Sequence, residues 1–150
     1  MTAASASRWT VVVLSLAGLA LATYLSVEHV TGGEAACVVS EGCGDVTSSE
    51  YAVLLGVPVA FIGVAGYAAL LLGTLAYLGL DSPPSALAYA LVAMAVIGEG
   101  LTAYFVYTQA FRIQAYCVYC LVSAAIMTSA FALTVYATLR ARNEPAAVLE

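Results

Sequence analysis

Long apolar runs alternate with short polar breaks along this chain, on a scale that predicts membrane-crossing helices. A hydrocarbon core about 30 Å thick requires roughly 20 apolar residues in helical form. Four segments reach that length. Segments 9–27, 58–80 and 117–139 carry no charged residue, and segment 86–108 carries one, Glu99. Pro58 suits a first helical turn, and Asp81-Ser82-Pro83-Pro84 breaks the chain sharply between the second and third spans. Gly63 and Gly66, with Ala65 and Ala69, predict close approach of a neighbouring helix. Arg8 followed by an apolar run ending in Ala20-Leu21-Ala22 also fits a cleaved leader, but the run continues past Ala22 for long enough to span.

Only one loop is long, 28–57. Its first part, from Thr31, is rich in glycine and alanine. Its second part, 48–56, reads as a short helix: a serine caps the start, Glu50 sits in the first turn, and Gly56 ends it before Pro58. Tyr51, Val53, Leu54 and Leu55 suit it to the bilayer interface. The predicted fold is therefore an all-α integral membrane protein. It is a single domain over 1–150, a bundle of four transmembrane helices with a short interfacial helix in the first extracytoplasmic loop. The positive-inside rule places Arg8, Arg140 and Arg142, and so both termini, in the cytoplasm, leaving Arg112 outside. An even number of spans then puts the first and third loops together on the oxidising face, where disulfides persist.

Composition excludes the alternatives. Hydrophobic residues make up 63% of the chain and charged residues 9%, and there is no lysine. So few charges cannot wet a soluble domain, which carries about 25%. They also leave no basic face for nucleic acid and none of the polarity of a disordered chain. The net charge of −5 resides almost entirely in loops and tails.

The four cysteines form two sequence pairs. Cys117-Val118-Tyr119-Cys120 opens the fourth span. A thiol at a helix N-terminus faces free N–H groups and the positive end of the dipole, which favours its thiolate. Two intervening residues put the sulfurs about one turn apart, the spacing of exchange-active pairs. Cys37 and Cys43 enclose a small loop, and small loops add little stability when closed by a disulfide. A loop disulfide above a membrane-embedded CxxC permits a relay by thiol–disulfide exchange. Two alternatives stand beside it: a pair of inert disulfides bracing an outer cap, and a four-cysteine metal site. Zinc accepts four cysteines, but C-x5-C with C-x2-C is an unusual set and the sole histidine, His29, lies at the end of the first span. No metal is expected. Four cysteines allow three full pairings, and a relay visits more than one.

Taken in order, Cys37-x5-Cys43, Ser49, Leu55-Gly56-Val57-Pro58-Val59-Ala60, Gly63, Tyr67 and Cys117-x2-Cys120 resemble the bacterial branch of the vitamin K epoxide reductase family. The resemblance runs from the first span to the fourth. The bacterial disulfide-bond protein DsbB has a similar task, but its cysteine pairs come in the opposite order. The resemblance implies a four-helix bundle around a quinone of the ubiquinone or menaquinone type. It also implies a place in the bacterial plasma membrane, and a thioredoxin-like (DsbA-like) extracytoplasmic partner. Because the chain stops shortly after the fourth span, that partner is expected to be a separate protein. By the same resemblance Cys120 is the cysteine nearest the quinone and Cys117 exchanges with Cys43. Cys37 meets the partner, and Ser49 caps the short helix and orders the loop. Electrons then run from partner dithiol to Cys37/Cys43, to Cys117/Cys120, to quinone. Animal members carry an asparagine and a tyrosine on the quinone oxygens. The matching positions here are Val59 and Ala124, which favours plain quinone reduction over vitamin K quinone or epoxide recycling.

A quinone ring needs an apolar slot beside Cys120. Gly98, Leu101 and Phe105 share one helical face of the third span, and Phe61 on the second is placed to close the slot. The bland alternative is ordinary bundle packing. Glu99 lies about 13 Å along the helix from the outer end of its span, at 1.5 Å per residue. An intramembrane acid is a functional candidate, here for a hydrogen bond or a proton to the quinone. The bland alternative is a neutral acid bonded to a neighbouring helix. The overall expectation is a quinone-linked thiol oxidoreductase, with a non-catalytic membrane protein braced by disulfides as its rival from another class.

Overall fold

In hydrocarbon every backbone polar group must be paired within the protein, so an apolar run of this length becomes a helix. The computed structural model describes residues 3–32 and 42–143. Within them lie α1 (Ala3–Thr31), α2 (Gly42–Thr47), a 3-10 turn (Glu50–Ala52), strands β1 (Val53–Leu54) and β2 (Val57–Pro58), α3 (Val59–Gly79), α4 (Ser85–Thr108), a π turn (Gln109–Ile113) and α5 (Val118–Asn143). Among the described residues four helical segments are long and apolar enough to cross a membrane: Ala3–Thr31, Val59–Gly79, Ser85–Ile113 and Val118–Asn143.

Each boundary has a local cause. Helix α1 runs beyond the predicted 9–27 and stops at Gly32, whose φ of 66° suits the left-handed position after a helix end. Pro58 and Pro84 occupy the N-cap positions of α3 and α4, where the missing N–H costs no hydrogen bond. The third span continues past the predicted 108 through the π turn and ends at Gln114, which is left-handed at φ 57°.

Helix α1 packs along both α3 and α5, and α4 packs along α5, while α3 and α4 meet over a shorter stretch. The core contains Val11 and Ala22 of α1, Tyr67 and Leu70 of α3, Leu91 and Ala95 of α4, and Met127 and Ala130 of α5. Small residues permit the closest contacts, though not all of those predicted. A side chain at Gly63 would meet Ala22 at 3.3 Å, whereas nothing lies within 4 Å of Gly66. The tightest position on α1 is Gly18, whose missing side chain leaves room for the Tyr67 ring. The Tyr67 hydroxyl then reaches α5, donating to Ser123, whose carbonyl oxygen lies at 2.9 Å and Oγ at 3.0 Å.

The loop differs in detail from the helix predicted over 48–56. One 3-10 turn forms there, and the chain then makes a hairpin with Val53 opposite Pro58 and Leu54 opposite Val57. Leu55 and Gly56 form its two-residue turn, both with positive φ (53° and 84°), as a type I′ turn requires. Gly56 adopts this without cost, and Val53 and Val57 are β-branched, so local preference favours strands over continued helix. Leu55 is 97% exposed at the tip. Helix α2 falls where the hydropathy pattern predicts loop.

Candidate active site

The last turn of α4 opens into a π turn, and the short connection that follows delivers Cys117 to the N-cap side of α5. The Cys120 N–H, in the first turn of α5, donates to Cys117 Sγ at 3.4 Å. Cys117 is completely buried, Cys120 is half-buried, and both are thiols. The Cys117 thiol is lowered from an ordinary value of 9.0 to about 7. Its largest cause is the hydrogen bond from the Cys120 thiol; backbone N–H groups of Cys120 and Tyr119 add to it, and burial opposes them. Tyr119 packs edge-on against Tyr24 of α1, with ring centroids 5.6 Å apart, which seats the middle of the CxxC against the bundle.

Helix α2 lies against this connection. A side chain at Gly42 would meet the Tyr116 carbonyl oxygen at 2.9 Å and its nitrogen at 3.0 Å. The missing side chain lets the start of α2 rest on backbone, and the next residue, Cys43, enters one buried cluster with Val46 and Cys117. Cys43 is disulfide-bonded. Cys37 lies outside the described residues. Ser49 stands at the N-cap of the 3-10 turn but makes no side-chain cap there; its hydroxyl donates back to the Val46 carbonyl at 2.7 Å. It therefore ties the 3-10 turn to α2.

Beneath the loop lies a cavity of about 1150 Å³. Its walls are largely apolar and come mainly from α3 and α4, with α1, α2 and α5 completing them, and Cys120 is among the lining residues. Gly98, Leu101 and Phe105 line it, as do Val59, Ala124 and Ser49. Gly98 also packs on the Met127 side chain, which fills the space a larger residue would need. Ala65, Gly66, Ala69 and Ile97 line the cavity and are themselves exposed, so it is open along the seam of α3 and α4.

Two residues that the sequence reading puts in the slot stand elsewhere. Phe61 is 40% exposed on α3 and does not line the cavity. Its neighbours Ala60 and Ile62 do, and each residue is rotated about 100° from the next on a 3.6-residue helix. Glu99 is turned from Gly98 in the same way. Its two carboxylate oxygens lie 3.0 and 3.1 Å from Thr128 Oγ1 of α5, which donates to them. The structure thus places Glu99 in a bridge between α4 and α5, away from the cavity wall.

Gln109 is the site residue that sequence reasoning misses. It lies one residue past the predicted end of the third span. In the fold it is 2% exposed, lines the cavity, and accepts the Cys117 N–H on Oε1 at 3.0 Å. The only signal in the sequence is an amide eight residues before Cys117, and Gln114 in the same connection carries the same signal.

Comparison with known proteins bears on the family of the chain. A family model described as "Vitamin K epoxide reductase family" matches residues 9–135. The chain is 36% identical over 119 residues to "Thiol-disulfide oxidoreductase LTO1" of Arabidopsis thaliana, covering 75% of this chain and 31% of that protein. The chain thus spans about a third of the length of that relative.

Proposed function

The chain belongs to the vitamin K epoxide reductase family, and from that premise we propose that it is a quinone-linked thiol:disulfide oxidoreductase serving disulfide formation in exported proteins. One observation carries this reading. Cys43 and Cys117 share a buried cluster, while Cys120, three residues on from Cys117, lines a large apolar cavity. Cys43, the Cys117/Cys120 dithiol and an acceptor-sized pocket are therefore contiguous.

The relay begins when a thioredoxin-like extracytoplasmic dithiol reduces the loop pair. The Cys43 thiolate attacks Sγ of Cys117 in the oxidised inner pair; the Cys117–Cys120 bond breaks, a Cys43–Cys117 bond forms, and Cys120 leaves as thiolate. Attack by Cys37 on Cys43 closes the loop disulfide and releases Cys117. The inner dithiol is then charged with two electrons. A quinone held beside Cys120 would supply a two-electron, two-proton acceptor, against which Cys117 and Cys120 would return to the disulfide. The state seen, with Cys43 in a disulfide and Cys117 and Cys120 as thiols, corresponds to the protein ready for that last step. A low Cys117 pKa makes this sulfur both a good leaving group and a ready nucleophile near neutral pH.

The chain's own residues fit such an acceptor. The cavity is large and apolar enough for a ring and the start of a lipid tail, and its open seam between α3 and α4 gives a lipid-borne molecule a lateral way in. Val59 and Ala124 line it without a polar atom, which supports plain quinone reduction over epoxide chemistry. In the orientation set by the arginines, both termini are cytoplasmic and all four cysteines face the extracytoplasmic side of a bacterial plasma membrane.

The deciding experiment uses purified protein in detergent, a reduced thioredoxin-like dithiol and a soluble quinone. Quinone reduction is expected in the wild type and is expected to vanish in Cys120→Ala. A folded wild type that reduces none of several ubiquinone and menaquinone analogues overturns the reading. Cys43→Ala, expected to trap a mixed disulfide between partner and loop, tests the partner separately.

A further inference from the structure

A polar ligand atom entering the apolar cavity needs a donor, and most hydroxyl groups around it are already engaged. Thr108 Oγ1 donates to Phe105 O, Ser49 Oγ to Val46 O, and Thr47 Oγ1 to Cys43 O, while the Tyr67 hydroxyl is taken up by Ser123. Gln109 is different. The Cys117 N–H is a donor, so the amide atom facing it at 3.0 Å must be the carbonyl oxygen. That fixes the orientation of the whole amide, and leaves the NH2 group with no acceptor among the described residues. Gln109 is 98% buried, reckoned from its 2% exposure, and it lines the cavity. It also heads the π turn Gln109–Ile113, a distortion that recurs at functional sites. An amide donor that faces an apolar cavity is best satisfied by an acceptor atom on whatever fills that cavity.

We propose that Gln109 donates through Nε2 to a carbonyl oxygen of the quinone, while its Oε1 holds the backbone of Cys117. One side chain then fixes the acceptor relative to the reactive cysteine pair. The proposal rests on the quinone reading above. It adds the contact that selects a carbonyl-bearing ring over a plain hydrocarbon of the same shape.

The test measures equilibrium binding to purified, reduced protein in detergent. Two probes are compared: a short-chain naphthoquinone, and a naphthalene with the same tail and no oxygen atoms. Wild type is expected to prefer the quinone. Gln109→Met is expected to lose quinone affinity by about 5- to 10-fold, the worth of one neutral hydrogen bond, with naphthalene binding unchanged. Equal weakening of both probes would show a merely structural role and overturn the proposal, as would an undiminished quinone preference. Thr102→Val is the control, because Thr102 also lines the cavity; loss of preference there instead would assign the donor to Thr102. If Gln109→Met does not fold, Gln109→Glu replaces it, measured at a pH high enough to ionise the buried carboxyl, since a carboxylate still accepts the Cys117 N–H but donates nothing. Wild type binding neither probe marks failure of the quinone reading itself, and the proposal falls with it.

Discussion

The contact between α2 and the chain before Cys117 makes a sharp prediction. Gly42→Ala adds a single carbon that would sit 2.9 Å from the Tyr116 carbonyl oxygen and 3.0 Å from its nitrogen. Both are backbone atoms and cannot swing aside, so α2 must retreat by about 0.5 Å to reach ordinary van der Waals contact. Cys43 moves with it, away from Cys117. Near-attack geometry is steep: a misplacement of about 1 Å can cost 10²-fold, so half of that corresponds to roughly a tenfold slowing. Helix propensity acts in the other direction, since alanine favours a helix over glycine by at most about 1 kcal/mol. Any slowing therefore comes from the contact and not from unfolding of α2. In the assay the loop pair is reduced, and its transfer to the oxidised inner pair is followed by acid quench and alkylation. The transfer step is expected to slow about tenfold, while oxidation of a pre-reduced inner pair by quinone keeps its rate. A folded Gly42→Ala protein with unchanged transfer would refute the argument that this glycine sets the Cys43–Cys117 approach.

Three further outcomes follow from the geometry. The Cys117 thiolate, observed by its absorbance near 240 nm in protein whose loop disulfide is intact, should titrate near pH 7; Cys120→Ala removes its main donor and should raise that midpoint, whereas Cys120→Ser should largely restore it. Tyr67→Phe removes the hydrogen bond to Ser123 and should cost about 1 kcal/mol in unfolding measurements, while Gly66→Ala, with nothing within 4 Å, should stay within about 0.5 kcal/mol. Glu99→Gln should retain quinone reduction, since Glu99 faces Thr128 and not the cavity; loss of activity in a folded variant would restore Glu99 to the proton path.

The membrane fold was legible because hydrocarbon enforces it. Long charge-free runs have one solution, and Asp81-Ser82-Pro83-Pro84 leaves no doubt where α3 and α4 part. The order of the cysteines in the sequence likewise pointed to the dithiol at the head of α5. What stayed hidden is whatever depends on rotation about a helix axis. All faces of these spans are apolar, so periodicity cannot say that Phe61 turns out while Ile62 turns in, or that Glu99 leaves the face of Gly98. Tertiary contact also decided the small residues. Gly18 matters because Tyr67 arrives from another helix, and Gly42 because Tyr116 arrives from 74 positions along the chain. Gln109 was concealed for the same reason: its partner, the Cys117 N–H, becomes a neighbour only after the π turn folds back. In the loop, local preference was misjudged at Leu55-Gly56, where a left-handed pair favours a hairpin over the end of a helix.

Arg8 carries a consequence for how the protein is made. The residue is 5% exposed, and its guanidinium lies 3.7 Å from the centre of the Tyr77 ring and within 3.5 Å of the Ala137 carbonyl oxygen. The charge that anchors the first helix is thus satisfied by α3 and by the last turns of α5, which leave the ribosome long after it. Until α5 is inserted, this arginine has the Tyr77 ring of α3 but no carbonyl to receive its donors, and α1 is held on one side only. The fourth span locks the first, so assembly of the bundle completes by closure of a latch and not by stepwise accretion. A nascent chain arrested before Ala137 should show α1 in exchange with the surrounding lipid, and extension past Asn143 should end that exchange.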